Sequence, residues 1–168
     1  MSVNMLTKHF DGPIAVDCMV TPGTDSEQKR DTGMVTDAIF IWMMSKPDGD
    51  LFEYMRQLES ASLAHYMDLP FYWVDFGGTN NQTTRLRRNP HRRMIRQLNT
   101  RPYLLKRDHT YDVTLVQNGK TGEFWVDGER WIQFRDPTPH THGHIGFRAY
   151  TASLAVHSLK VWRIQPRP

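Results

Sequence analysis

The stretch FYWVDFGGTNNQTTRLRRN, Phe71–Asn89, decides the fold. It opens on mostly aromatic and β-branched residues, passes through glycines and asparagines, and ends on a second alternating run. That order is a strand, a tight turn and a returning strand. Successive side chains of a strand point to opposite faces. Tyr72, Val74 and Phe76 therefore share one face, and Phe71, Trp73 and Asp75 the other. On the returning strand Thr84, Leu86 and Arg88 share a face, and Thr83, Arg85 and Arg87 the opposite one. One patch of sheet is predicted to carry an indole, a carboxylate and two guanidiniums. Such a patch suits a polar, ring-shaped ligand, because an indole stacks on an apolar ring face and a guanidinium forks onto hydroxyls or carboxylates. Plain sheet packing with solvated arginines gives the same pattern, and the hairpin alone does not separate the two readings.

Outward from this hairpin the chain reads as short strands. Ile14–Val20 alternates loosely, and 21–33 is a polar loop. Ala38–Met44 (AIFIWMM) is an apolar run of strand length, expected to be buried on both faces. Leu51–Met67 is the one stretch with helical spacing, closed by Pro70. Pro90–Pro102 reads as a basic loop, and Tyr103–Leu105 as a short strand. Thr110–Gln117 and Gly122–Val126 flank Asn118-Gly119-Lys120, a strong hairpin signal. Asp127-Gly128 turns the chain into Arg130–Phe134, which completes a meander. Ile145–Ala149 and Leu154–Ile164 are the last strands. Nine to eleven short strands with little helix predict an all-β sandwich or jelly roll of two antiparallel sheets, one of them concave. No repeat, linker or second domain is visible, so 1–168 reads as a single domain.

With 168 residues and 39% hydrophobic content the chain can bury a sizeable core. No apolar run reaches the length of a membrane span, so no membrane partner is expected. The start, MSVNMLTKHF, has no apolar signal region, and the single cysteine, Cys18, fits a reducing compartment. A cytoplasmic location is the expectation. Charge is uneven: Arg85–Arg107 holds nine of the 21 Lys and Arg and none of the 18 Asp and Glu. A basic segment on an acidic body points to an anionic ligand. No RNA-binding, zinc-finger or helix-turn-helix pattern supports nucleic acid.

The order of aromatic strand, FGGTNNQTTRLRRN, basic loop, HTYDVTLVQNGKTGEFWVDGERWIQFRDPTPHTHGHIGFRAY and SLKVWRI resembles the concanavalin A-like proteins of the YesU type. These are bacterial jelly-roll domains of unknown function associated with pectin or rhamnogalacturonan use. The resemblance covers about residues 10–164. Gly77–Arg88 is its more specific part; Trp125–Gly128 and Gly146–Arg148 are widespread among jelly-roll lectins and glucanases. Relative to that family the chain starts late, which puts the pairing of an edge strand and one wall of the cleft in question. The resemblance implies glycan handling without fixing a reaction.

Three functions follow as expectations: an enzyme acting on an acidic plant-type oligosaccharide, a non-catalytic carbohydrate-binding module, and, less favoured, a phosphate or nucleic-acid binder using the basic loop. A glycosidase needs two carboxylates across a cleft, and Glu53, Glu59, Asp75, Asp108 and Asp112 are scattered. A polysaccharide lyase needs cations or amides on the uronate carboxylate, with a base and an acid beside it. That inventory fits better. Arg85, Arg87, Arg148, Asn80 and Asn81, with Gln82, are the binding candidates, and Trp73 is the expected stacking platform, with Trp131 second. Tyr72, Tyr150, His65, His144 and Asp75 are the acid–base candidates, Asp75 being read first as an ion-pair partner of Arg85 or Arg87. His140, His142 and His144 read as a polar rim rather than a metal site, so no cofactor is expected; a weak calcium site is not legible. Arg85→Ala and Trp73→Ala are both expected to abolish sugar binding while leaving the fold intact.

Overall fold

The computed structural model describes residues 2–23, 34–60, 62–150 and 152–165. Their strands are, in chain order, β1 (Ser2–Met5), β2 (Phe10–Asp11), β3 (Ile14–Gly23), β4 (Ala38–Met44), β5 (Phe71–Gly77), β6 (Thr83–Asn89), β7 (Arg93–Leu98), β8 (Tyr111–Asn118), β9 (Thr121–Val126), β10 (Glu129–Arg135), β11 (His142–Ala149) and β12 (Ser153–Arg163). They form two antiparallel sheets, one in the order β1-β11-β4-β5-β6-β7 with β2 beside β11, the other in the order β10-β9-β8-β3-β12. This is the β-sandwich that the alternating pattern predicts.

The core lies between the sheets. Phe40, Trp42, Tyr72, Val74, Phe76 and Leu86 of the first sheet meet Val16, Val20, Val113, Leu115, Phe124 and Ile132 of the second. Both middle strands of the first sheet, β4 and β5, are buried along their whole length. Their outer faces are covered too, because 45–70 folds back over the sheet. That segment carries the helix α1 (Leu51–Arg56), capped by Asp50 through the backbone N–H of Glu53, and a single 3-10 turn at Leu63–Tyr66. Leu51, Tyr66 and Leu69 pack on Ile39, Ile41, Phe71 and Trp73 as a second, smaller core. Two covered faces explain why AIFIWMM has no polar alternation.

Several local expectations change. Arg93–Leu98 lies within the predicted basic loop yet forms the edge strand β7; its charged residues suit an edge. Residues 101–103 make a 3-10 turn where a strand over Tyr103–Leu105 was expected, since Pro102 gives no backbone donor to a ladder. The start of the chain supplies an edge strand: β1 pairs with β11, Val3 opposite Arg148. Strand β3 runs to Gly23, and the rest of the expected loop, 24–33, lies outside the described residues. No helix among the described residues is long and apolar enough to cross a membrane.

A buried polar latch closes one end of the sandwich. The Tyr72 hydroxyl donates to Asp136 Oδ2 at 2.6 Å, and Arg88 Nε donates to the same oxygen at 2.6 Å. The Thr138 N–H donates to Asp136 Oδ1 at 3.1 Å, and the His140 N–H donates to the Tyr72 hydroxyl at 3.2 Å. Burial alone would raise the Asp136 carboxyl, but these donors outweigh it and hold its pKa below the ordinary value. Burial and the carboxylate at its hydroxyl push the Tyr72 phenol well above its ordinary value. A depressed carboxyl contributes stability above its unfolded-state pKa, and that contribution is lost as pH falls through the folded-state pKa. Stability measured by urea unfolding should therefore fall below about pH 4. Asp136→Ala, which strands Arg88, should cost about 3–5 kcal/mol at neutral pH. A variant as stable as the parent would show that the latch contributes nothing.

Candidate functional site

Between β5 and β6 the register sets Asp75 opposite Arg85 and Trp73 opposite Arg87. All four face away from the sandwich core, as the alternation predicts. The connecting turn makes this register possible. Gly77, Thr79, Asn80 and Asn81 all have left-handed backbone, a run that costs strain at the three non-glycine positions. Asn81 holds the turn in place: its Nδ2 donates to the Leu105 carbonyl at 2.8 Å, and its Oδ1 accepts from the Leu105 N–H at 2.9 Å. Gly78 lies directly against the Asp75 carboxylate and the Arg85 guanidinium, so a Cβ there would collide with both.

Next to this group the sheet and the covering segment enclose a cleft of about 280 Å³. Trp73, Asp75, Arg85 and Arg87 line it, joined by Arg148 from β11 and Arg92 from the β6–β7 turn. Asp37 and Tyr150 also border it, as do Ser62 and Leu63 of the covering segment. Four guanidiniums against two carboxylates leave the cleft net positive. Arg85 Nη2 is bound to Asp75 Oδ2. Burial, then the charges of Arg85 and Arg92, hold the Arg87 pKa below the ordinary arginine value. Burial does the same to Arg148, opposed by the carboxylates of Asp37 and Asp75. Arginine stays charged under such pressure, so an incoming anion would relieve the repulsion.

Two atoms here have no hydrogen-bonding partner although they are buried: Asp75 Oδ1, an acceptor, and Arg85 Nε, a donor. Asp75 is only 4% exposed. Buried polar atoms are nearly always satisfied, so a partnerless donor and acceptor on one ion pair set this pair apart from the rest of the sheet.

The structure gathers Trp73, Asp75, Arg85, Arg87, Arg148 and Tyr150 around the cleft and leaves the other candidates elsewhere. Tyr72 belongs to the opposite face of β5, and its phenol is committed to Asp136, so it does not reach the cleft. His65 is half-buried outside it, its Nδ1 at 3.0 Å from the Ser60 carbonyl. Asn81 staples the turn, and Asn80 is exposed beside it. Trp131 packs against Phe76 and Tyr103 at the end of the sandwich core. Trp73 lies on the expected face but is 1% exposed. The Arg87 guanidinium stands 5.0 Å over its ring, and its Nε1 donates to Asn89 Oδ1 at 3.2 Å. Its ring is a packed support for Arg87 rather than an open stacking platform. His142 and His144 cluster with His9, ring centroids 5.7 and 5.1 Å away, whereas His140 contacts Tyr72. Among the described residues no group of three or more His, Cys, Asp or Glu is arranged to hold a metal ion. Sequence reasoning missed Asp37, which precedes the apolar run of β4, and Arg92, hidden within the basic loop.

The chain matches the family described as "Domain of unknown function (DUF6250)" over residues 5–159. It belongs to that family. No curated protein matches it. Among solved structures it is similar to a protein of unknown function with galectin-like fold from Bacillus subtilis, with TM-score 0.76, 16% identity, and coverage of 95% of this chain and 76% of that one. The carbohydrate-binding module CBM66 from Bacillus subtilis aligns with TM-score 0.63 and 10% identity over 95% of this chain and 80% of that one. A Bacillus licheniformis β-glucanase aligns with TM-score 0.58 and 8% identity over 97% and 71%. At these identities the likeness establishes the jelly-roll fold.

Arg85 and Trp73 thus line the cleft and also hold the sheet together, and replacing either should not leave stability untouched. Arg85→Ala strands the buried Asp75 charge and should cost about 3–5 kcal/mol in urea unfolding. Arg87→Ala removes one ring–cation contact and should cost about 1 kcal/mol or less. Equal losses in the two variants would contradict this assignment of roles.

Proposed function

We propose that the DUF6250 chain binds an acidic saccharide, with a uronate ring in the arginine-lined cleft. The observation that carries this is the cleft lining, in which four guanidiniums meet two carboxylates and the Asp75–Arg85 pair keeps a donor and an acceptor without partners. Arg85 Nε lacks an acceptor and Asp75 Oδ1 lacks a donor, and since both atoms are shut off from solvent a ligand meets them by shifting the pair as it binds. A uronate brings both on one ring: a carboxylate for the guanidiniums and hydroxyls for the carboxylate. A bare phosphate diester brings acceptors alone and would leave Asp75 unsatisfied, so a phosphate ligand comes second. The carbohydrate-binding module and the glucanase among the fold relatives agree with a sugar ligand, as does the resemblance of Gly77–Arg88 to the YesU-like proteins.

Binding is the function that this geometry supports best. Lyase chemistry is a second reading, favoured by Tyr150, 43% exposed at the cleft with the Arg148 guanidinium 5.4 Å from its ring. In that reading the arginines neutralise the carboxylate and the Tyr150 phenol handles the proton α to it. Hydrolysis has less support, since Asp75 is committed to Arg85.

The test compares a galacturonate oligosaccharide with its methyl ester, which has the same shape without the charge. The acid should raise the thermal midpoint and the ester should not. Arg87→Ala should weaken binding of the acid about tenfold or more, the equivalent of a lost charge-assisted hydrogen bond. Equal binding of acid and ester, or of parent and variant, would overturn the proposal. Growth of unsaturated-uronate absorbance, abolished by Tyr150→Phe with binding retained, would establish the lyase reading.

A further inference from the structure

The second sheet turns its outer face away from the cleft, and the register lays out its side chains in rows. Trp162 of β12 lies opposite Ala15 of β3, which lies opposite Val116 of β8. In the next row Lys160, Asp17, Thr114 and Trp125 follow one another across β12, β3, β8 and β9. Beyond them Met19 faces Asp112. A depression of about 380 Å³ lies over these rows, lined by Asp17, Met19, Asp112, Thr114, Lys160 and Trp162.

A single exposed tryptophan is ordinary on a protein surface. Trp162 is 52% exposed, but it is also fixed: its Nε1 donates to Asp17 Oδ2 at 2.7 Å, and Thr114 Oγ1 donates to Asp17 Oδ1 at 2.8 Å. The polar edge of the indole is satisfied inside the sheet while much of its apolar surface is left to solvent. Trp125 on the same face differs: Arg130 stands 5.6 Å over its ring and Glu123 takes its N–H. Around Trp162 stand the carboxylates of Asp17 and Asp112, the hydroxyls of Thr114 and Ser158, and the Lys160 ammonium. The lining is net negative, the reverse of the arginine cleft, and it combines acceptors and donors beside an apolar ring.

We propose that this depression is a second saccharide site, taking a neutral pyranose whose apolar face stacks on Trp162. Ring hydroxyls donate to Asp17, Asp112 and the Thr114 oxygen, whose own hydrogen is held by Asp17, and accept from Lys160. The negative lining disfavours a uronate, so the two sites select by charge. This inference does not depend on the reading of the cleft, which uses a different sheet and different residues.

The test titrates the full, isotopically labelled chain with cello-, manno- and galacto-tetraose while following the Trp162 indole N–H and the backbone amides of β3, β8 and β12 by nuclear magnetic resonance. At millimolar sugar, at least one of the three should shift these resonances saturably. Trp162→Ala should weaken that binding about tenfold, the equivalent of losing a ring contact. Asp112→Asn, an exposed change that spares the sheet, should weaken it severalfold. Three outcomes would each overturn the site: no shift with any of the three sugars, shifts confined to the cleft, or affinity unchanged in Trp162→Ala. Dimerisation through this face, seen as concentration-dependent broadening of the same resonances without sugar, would overturn it in favour of a second copy of the chain.

Discussion

The ion pair between Asp75 and Arg85 is the constraint on which the cleft depends, and it exists only in one register of β5 against β6. A slip of one residue would carry Asp75 into the core between the sheets and bring Tyr72 out. The left-handed turn after Gly77 and the Asn81 staple to Leu105 prevent that slip. The core gives the same instruction from the other face: Val74 and Leu86 pair inward, and Tyr72 reaches Asp136. Local turn chemistry and core packing thus agree on one arrangement, which is what lets a strained turn persist.

A second constraint turns a sheet face into a cleft. The segment 45–70 covers the outer faces of β4 and β5, and Asn89 ties it down through its side-chain amide to the carbonyls of Tyr66 and Met67. This cover buries Trp73, over whose ring the β5–β6 register sets the Arg87 guanidinium. In the proposed reading a ligand in the cleft is met by charge and hydrogen bonds in a partly desolvated space, where such contacts are stronger and more selective than on an open face. Among the described residues nothing comparable covers the opposite sheet, and there Trp162 is half exposed.

The fold was legible because it rests on period-two alternation and on turn residues, both local. The hairpin at Asn118-Gly119, the meander that follows and the doubly buried β4 all emerge from pattern alone. So does the grouping of Trp73, Asp75, Arg85 and Arg87, since alternation settles which side chains share a face. What lies across sequence was not legible. Nothing in FYWVDF shows that 45–70 will cover Trp73, that Tyr72 will find Asp136, or that Arg148 will arrive from β11. Basic composition also hid β7, because an edge strand carries charge as readily as a loop does. Asn80 and Asn81 read as ligand groups for their amides, whereas the turn recruited them for their tolerance of left-handed backbone.

The most direct test of the central claim is a crystal structure of the protein with a galacturonate oligosaccharide bound. The account predicts a uronate in the arginine-lined cleft, its carboxylate on the guanidiniums and one of its hydroxyls donating to Asp75 Oδ1. A saccharide bound elsewhere, with the Asp75–Arg85 pair untouched, would contradict it.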